Sequence, residues 1–198
     1  MIDVTIQPDQ NQLREWRAAA DHMGKPELYN KALASAVRRA GQHGMTKFKQ
    51  SISGKSGKYT APSKKISELM KLVSSKGSTS ATIKFQGSRL PIYDYFKVTP
   101  KKPIPQLGKH PSARKPVNIE VVKGIKRPSR NAFVADLPIR GLGLYHRDPE
   151  TGQVKTRTGS SIVTMADRDE VREPAWNAVQ EMLRERIDHE MNRLINRN

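Results

Sequence analysis

The segment from Lys97 to Arg130 constrains the fold of this chain more than any other stretch. It contains six prolines, which lack a backbone N–H and therefore interrupt helices and central strands. It also holds ten Lys or Arg residues against a single acid, Glu120. The segment therefore separates a helix-rich first part of the chain from a second part of strands and a final helix.

Two amphipathic segments predict long helices. The first covers about 26–52, and its apolar residues recur at helical spacing: Leu33, Val37, Ala40, Met45, Phe48 and Ile52. Small residues on the same segment, including Gly41 and Gly44, would let another backbone approach closely. The second covers about 171–195, with the apolar stripe Trp176, Val179, Leu183, Ile187, Met191 and Leu194. We expect this stripe to pack on a sheet or on the first long helix.

Alternating apolar and polar residues predict antiparallel strands between these helices. The clearest patterns lie at 81–85, 117–121, 133–137 and 141–148. A short helix is predicted over 63–73, and the stretch 90–96 is predicted as a hairpin partner of 81–85. The order helices, antiparallel strands, helix predicts an α+β fold, with an antiparallel sheet packed against the long N-terminal-half helix and the C-terminal amphipathic helix.

The domain organisation follows from these segments. Residues 1–27 are expected to form a strand and helix extension, and residues 28–198 the main α+β domain. A basic, proline-rich arm is predicted at about 97–115, because a loop of that length without regular structure is uncommon unless it is functional or disordered.

The positive charge of the chain is confined to its middle. The net charge is +17, yet residues 1–37 hold four bases and five acids, and residues 131–198 hold ten bases and eleven acids. Residues 38–130 hold twenty-two bases and three acids. Charge localised in this way predicts an anionic partner, either nucleic-acid phosphate or an acidic protein surface; a basic face kept for solubility is the alternative.

Candidate contacts to DNA or to an acidic partner come from the basic segment: Lys101, Lys102, Lys109, Arg114, Lys115, Lys123, Lys126, Arg127 and Arg130. Stiff proline-rich spacing favours a protein partner for the residues within 99–115. The residues from Lys123 to Arg130 flank a strand and favour DNA or an inner surface. Candidate subunit-packing residues are Trp176, Val179, Leu183 and Ile187 on the C-terminal helix.

No catalytic, metal-binding or cofactor-binding residues are predicted. The chain has no cysteine, and its five histidines are scattered without metal-ligand spacing. The acids at 167–173 are more typical of a helix start than of a Mg²⁺ site. Glu120 and Lys123 resemble a nuclease E-x-K motif but are one residue too far apart. No signal peptide or membrane span is expected from the sequence.

Several stretches nevertheless resemble one family, the minor tail protein Z family of lambda-like phages and prophages, which are tail-completion proteins. The resemblance lies in KALASAVRRAGQHGMTKF, in KKISELMKLV leading into SATIKFQGSRLPIYDYF, and in VNIEVVKGIKR followed by NAFVADLPIRGLGLYHRD. It extends to GSSIVTMA before the last helix, so that it covers about residues 28–198.

The resemblance implies a structural protein without enzymatic activity or cofactor. It implies a ring, expected to be a hexamer, at the head-proximal end of the tail. There the ring would contact the tail terminator and the head connector and guide or hold the DNA end, in a virion assembled in the host cytoplasm. The alternatives are a sequence-independent nucleic-acid-binding protein acting through the basic block 38–130 and, more weakly, a phage nuclease.

Overall fold

The computed structural model describes residues 2–8, 11, 13–14, 17–18, 21, 26–75, 77–103 and 116–195. The helices are α1 (Pro26–Ser53), α2 (Ser63–Glu68), α3 (Ile92–Tyr95), α4 (Ile162–Ala166) and α5 (Asp169–Ile195). The strands are β1 (Ile2–Ile6), β2 (Met70–Val73), β3 (Ala81–Phe85), β4 (Lys97–Thr99), β5 (Val117–Glu120), β6 (Arg127–Ser129), β7 (Ala132–Leu137), β8 (Gly141–Arg147) and β9 (Val154–Thr156).

These strands form three antiparallel sheets of three strands each within the described residues. Their orders are β1-β3-β2, β4-β5-β6 and β7-β8-β9. The sheets pack with the helices, which confirms the predicted α+β class. The strands are divided among three small sheets, whereas a single antiparallel sheet was predicted.

The centre of the core is the contact between α1 and α5. Ala36, Val37 and Ala40 of α1 are fully buried, as is Val179 of α5. Gly44 permits the close approach, since a Cβ there would lie 2.5 Å from Cγ2 of Val179 and 3.0 Å from Cδ1 of Ile83 in β3. The expectations that α5 packs on α1 and that the small residues allow close contact are confirmed.

Three of the four predicted subunit-packing residues belong to this internal core. Val179, Leu183 and Ile187 are 0%, 2% and 6% exposed within the single chain. They are therefore unavailable to a neighbouring subunit, and their assignment to subunit packing was wrong. Trp176 is only half-buried and remains accessible.

Two local predictions in the middle of the chain were also wrong. The helix predicted over 63–73 ends at Glu68, because Met70–Val73 pairs with β3 as β2. The strand predicted over 90–96 is replaced by the single turn of α3, which is followed by β4. At 70–73 the hydrogen bonds to β3 override the local helical pattern, whereas at 90–96 the chain forms one helical turn before it pairs with β5 from Lys97 onward.

The N-terminal extension is joined to the main fold by β1, which pairs antiparallel with β3 from Ile2↔Phe85 to Ile6↔Ala81. Ile6 is fully buried in the common core. The helix predicted after Pro8 falls largely outside the described residues, although those described between 11 and 21 are helical.

The β8–β9 turn is fixed by Asp148. Its carboxylate accepts hydrogen bonds from the Lys155 ammonium and from the backbone N–H groups of Glu150 and Thr151, the latter two at 3.0 and 3.3 Å. These hydrogen bonds lower the pKa of Asp148 from 3.8 to about 2, and the bond from Lys155 makes the largest contribution. The turn sets the path of β9 into the segment 157–161.

A search of the described helices for one long and apolar enough to cross a bilayer finds no candidate.

Candidate interface: a basic groove and an acidic stripe

The predicted basic contacts fall into three groups. Lys109, Arg114 and Lys115 lie outside the described residues. Four others are exposed and make no ion pair within the described part of the chain, and we call them the exposed basic set: Lys101, Lys102, Lys126 and Arg130. Lys123 and Arg127 have more specific surroundings.

Lys123 supports the structure around it. Its ammonium donates hydrogen bonds to the carbonyl oxygens of Gly54 and Lys55, at 2.5 and 3.3 Å, just after the end of α1. Its assignment as a free DNA contact is therefore corrected: the head group is occupied by the backbone of the preceding helix end.

Arg127 lies in a groove of 860 Å³ bordered by four separate stretches of chain. We call this the basic groove, after its cationic residues Lys58, Arg89, Arg127, Arg157 and Arg168. Among the described residues that line it there is no Asp or Glu. A concave surface with positive charge of one sign focuses the field on an anionic group.

One wall of the basic groove joins the chain after α1 to the chain after β5. The Thr60 N–H donates to the Val121 carbonyl at 3.0 Å, and the Lys123 N–H donates to the Lys58 carbonyl at 2.9 Å. Tyr59 and Val122 form an isolated antiparallel bridge between these bonds. The backbone of this wall is therefore paired on both sides of Tyr59.

The other wall joins the chain before α3 to the chain after β9. The Ile92 N–H donates to the Arg157 carbonyl at 3.0 Å, and the Gly159 N–H donates to the Leu90 carbonyl at 2.8 Å. A Cβ at position 159 would lie 2.8 Å from Cε2 of Phe96, so glycine permits this approach. Arg157 is thus anchored by its backbone while its side chain is exposed.

Glu120 fixes the turn that enters the groove. Its carboxylate accepts a hydrogen bond from the Gly124 N–H at 2.9 Å and pairs with the Lys97 ammonium at 3.5 Å. The pKa of Glu120 is lowered mainly by the hydrogen bond from Gly124. The positive charges of Lys97 and Lys126 lower the pKa further, whereas burial raises it. Glu120 therefore pairs with Lys97, while the Lys123 ammonium bonds to the carbonyls of Gly54 and Lys55.

The charge of the basic groove is largely uncompensated. Lys58 pairs with Glu170 of α5, but no ion pair to a described residue is made by Arg89, Arg127, Arg157 or Arg168. Arg168 lies close enough to Tyr59 to oppose the rise in the pKa of the Tyr59 hydroxyl that burial causes. Four exposed guanidinium groups on one concave surface create a positive potential that favours an anionic partner.

The floor of the groove is apolar. It is formed by Tyr59, Ile92, Ile119, Val121, Val122 and Ile125. Ile125 is 50% exposed, which is high for a large aliphatic side chain. The groove thus combines a cationic rim with apolar surface, as protein-binding sites commonly do.

A second feature of opposite sign lies on α5. Glu181, Glu185 and Asp188 are exposed at positions i, i+4 and i+7, so they lie on one face of the helix, and we call them the acidic stripe. They line a surface depression of 560 Å³ together with Trp176, Asn177, Gln180 and Arg184. The described residues provide no ion-pair partner for the three carboxylates.

The acids at the start of α5 are used within the chain. Arg172 pairs with Asp169 at 2.6 Å and with Asp167 at 3.5 Å. Within the part of the chain that the structure describes, no group of three or more His, Asp or Glu side chains is arranged to hold a metal ion.

Sequence reasoning missed four of the five cations of the basic groove. Lys58 and Arg89 belong to the basic block, but nothing local distinguishes them from its other bases. Arg157 and Arg168 lie in the part of the chain whose net charge is close to zero. No sequence pattern could have identified these cations, because the four stretches are brought together only by backbone hydrogen bonds in the folded chain. The acidic stripe could have been found from the helical spacing of its carboxylates.

Comparisons of the chain with protein-family models, with curated proteins and with solved structures find no match. Its function is therefore inferred from the residues and their geometry.

Proposed function

We propose that this chain is a structural tail-completion protein of a phage neck, without enzymatic activity. In this proposal it forms a ring, expected to be a hexamer, at the head-proximal end of the tail. The ring contacts the tail terminator and the head connector, and duplex DNA passes through it without being read in sequence. The resemblance over residues 28–198 supports this assignment.

The observation that carries the proposal is the exposed basic set. Lys101, Lys102, Lys126 and Arg130 are exposed and make no ion pair within the described residues. Ammonium and guanidinium groups displayed in this way bind phosphates through charge, independently of base sequence. A ring that guides DNA needs contacts of this kind, which hold the duplex and still let it move.

The proposal is tested in a phage that lacks the protein and is supplied with a variant chain. The double variant Lys126→Glu with Arg130→Glu is expected to assemble into particles that lose DNA or fail to join heads to tails. The control is Arg38→Glu with Lys64→Glu, which changes the net charge by the same amount. Both positions are exposed and lie outside the exposed basic set, the basic groove and the acidic stripe, so this variant should give normal particles. Normal yield from the Lys126/Arg130 variant would refute the DNA-guiding role.

Electron microscopy of the purified protein and of tails tests the ring itself. Rings in the purified sample, or an added layer at the head-proximal end of tails, are the expected result. A chain that stays monomeric alone and with tails would refute the assignment to tail completion.

A second candidate function is sequence-independent binding of nucleic acid by the isolated subunit. The same exposed basic set favours it, since these side chains are accessible in a single chain. Tight binding of a 20-base-pair duplex by monomers, with an affinity that falls steeply as salt rises, would support it. Under the ring proposal, isolated subunits bind duplex only weakly.

A further inference from the structure

Two surfaces of this chain have opposite charges that are not neutralised within it. The basic groove presents four arginines without an ion-pair partner among the described residues, and the acidic stripe presents three such carboxylates. The two surfaces are built from different residues, so a single copy has one of each. Charge complementarity of this kind selects partners and fixes their orientation.

The size of the groove is compatible with that of the stripe. The acidic stripe extends over eight residues of helix, from Glu181 to Asp188, and the seven steps between them cover about 10 Å at 1.5 Å per residue. The groove has a volume of 860 Å³, which equals about two turns of a helix 10 Å in diameter. Because one face of α5 is packed on α1, only its exposed face would enter the groove, and the volume suffices for that face. Binding of a helix face in a groove is a common recognition mode.

Apolar groups lie beside the charges on both surfaces. Trp176 is half-buried next to the acidic stripe, and Ile125 is 50% exposed on the floor of the basic groove. Tryptophan is enriched among the residues whose truncation costs most at protein interfaces. Trp176 is also the one predicted subunit-packing residue that the core leaves accessible.

We infer that the basic groove of one copy binds the acidic stripe of α5 of a second copy. The contact is head-to-tail, because groove and stripe are different surfaces, and it leaves a free stripe at one end and a free groove at the other. Repeated contacts of this kind close into a ring or extend as a filament. The inference rests on the proposed function, since it names the contact between ring subunits.

Two double variants each remove the excess charge of one surface, and with it the charge complementarity. The groove variant is Arg157→Glu with Arg168→Glu, and the stripe variant is Glu181→Lys with Glu185→Lys. The Arg38/Lys64 control matches the charge change of the groove variant. A second control, Asp136→Lys with Glu150→Lys, matches the charge change of the stripe variant, and both positions are exposed and lie outside both surfaces. Masses are measured by light scattering at 0.15 M salt, where charges more than about 8 Å apart are largely screened.

The wild-type chain and both controls are expected to form oligomers, and each surface variant alone to be monomeric. A mixture of the two surface variants is expected to form dimers and nothing larger, because only the intact stripe of one and the intact groove of the other can meet. In a Trp16→Phe background, emission of Trp176 is expected to shift to shorter wavelength when these dimers form.

Each other result overturns the inference. Oligomers that persist in both surface variants would leave the ring proposal standing and place its contact elsewhere. A wild-type chain that is monomeric at all concentrations would refute the contact between copies. If it also stayed monomeric in the presence of tails, the ring proposal would be refuted too. Loss of duplex-DNA binding in the groove variant, without a change in mass, would assign the groove to nucleic acid instead.

Discussion

The helix pair α1 and α5 and the basic groove join distant parts of the chain in different ways. The helix pair meets through apolar side chains, with Val37, Val179 and Leu183 almost completely buried. The groove is joined by backbone hydrogen bonds between irregular segments, and its arginine side chains extend into solvent. Buried side chains therefore join the helix pair, whereas backbone hydrogen bonds join the groove segments and leave the arginine side chains free to bind.

This difference separates structural residues from residues available for binding. A side chain removed from the helix pair leaves a cavity, and the fold loses stability. A side chain removed from the rim of the groove leaves the backbone pairing intact. Measurements that compare stability in the two regions therefore test whether the groove is a binding surface.

The largest effect is expected for Leu183→Ala. Leu183 is 2% exposed, and truncation of a buried leucine costs about 2–5 kcal/mol. The free energy of unfolding from urea titration measures it. The neighbouring exposed residue provides the control, since Arg184→Ala should change stability by less than about 0.5 kcal/mol. Equal losses in the two variants would contradict the core position of Leu183.

Gly44→Ala tests the closest approach in the helix pair. The new methyl group meets Val179, at a cost of about 1–3 kcal/mol from overpacking, partly offset by up to about 1 kcal/mol from helix propensity. Combining it with Val179→Ala removes the shorter of the two close contacts, that with Cγ2 of Val179. The double variant should therefore be more stable than the sum of the single changes predicts, by about 0.5 kcal/mol or more. Strict additivity would show that the two sites do not touch.

Lys123 and Lys126 form a matched pair beside the groove. Lys123→Ala removes hydrogen bonds to the carbonyls of Gly54 and Lys55 and should cost about 1 kcal/mol. Lys126→Ala should change stability by less than about 0.5 kcal/mol. Urea titration of both variants distinguishes the supporting lysine from the exposed one, and the reverse order would refute their assignments.

Glu120 gives the stability of the fold a pH dependence. Its pKa in the folded chain is lower than the ordinary 4.5, so its ionised form stabilises the fold. That contribution is fully present above about pH 4.5 and is lost as pH falls through the lowered pKa. The difference in melting temperature between the wild-type chain and Glu120→Gln should therefore shrink below this range. A constant difference down to pH 2 would show that ionisation of Glu120 plays no part.

The smallest effect on stability is expected for Arg157→Ala. Its side chain is exposed and makes no ion pair within the described residues, so the change should be within about 0.5 kcal/mol. Removing one of four like charges would, if anything, stabilise the chain. A loss above 1 kcal/mol in the same urea titration would make Arg157 structural and weaken the case for a binding groove.

Periodicity in the sequence predicted the helix pair because each helix is specified by its own residues. The stripe from Leu33 to Ile52 is continuous in sequence and faces one way at 3.6 residues per turn. The same reasoning failed at Met70–Val73, where Ile66, Leu69, Met70 and Val73 fit a helix. There the hydrogen bonds to β3, the next strand along the chain, outweigh the helical spacing of these four residues.

The basic groove was beyond prediction for a related reason. Its cations come from four stretches that no linear motif connects, and Arg157 and Arg168 lie outside the basic block. Their meeting depends on backbone bonds such as that from Ile92 to Arg157. The sequence predicted only the positive charge of the middle block and, among the groove cations, Arg127 as a contact to an anionic partner.

The pairing of α1 with α5 also sets an order of events during synthesis. Gly44 and Val179 are in contact but 135 positions apart in the chain. At about 5–20 residues per second, the ribosome takes roughly 7–27 s to make the residues between them. For that interval the apolar stripe of α1 lacks its main cover. The nascent chain is therefore most exposed to aggregation and to chaperones before α5 emerges, and slowing translation in this interval would lengthen that exposure.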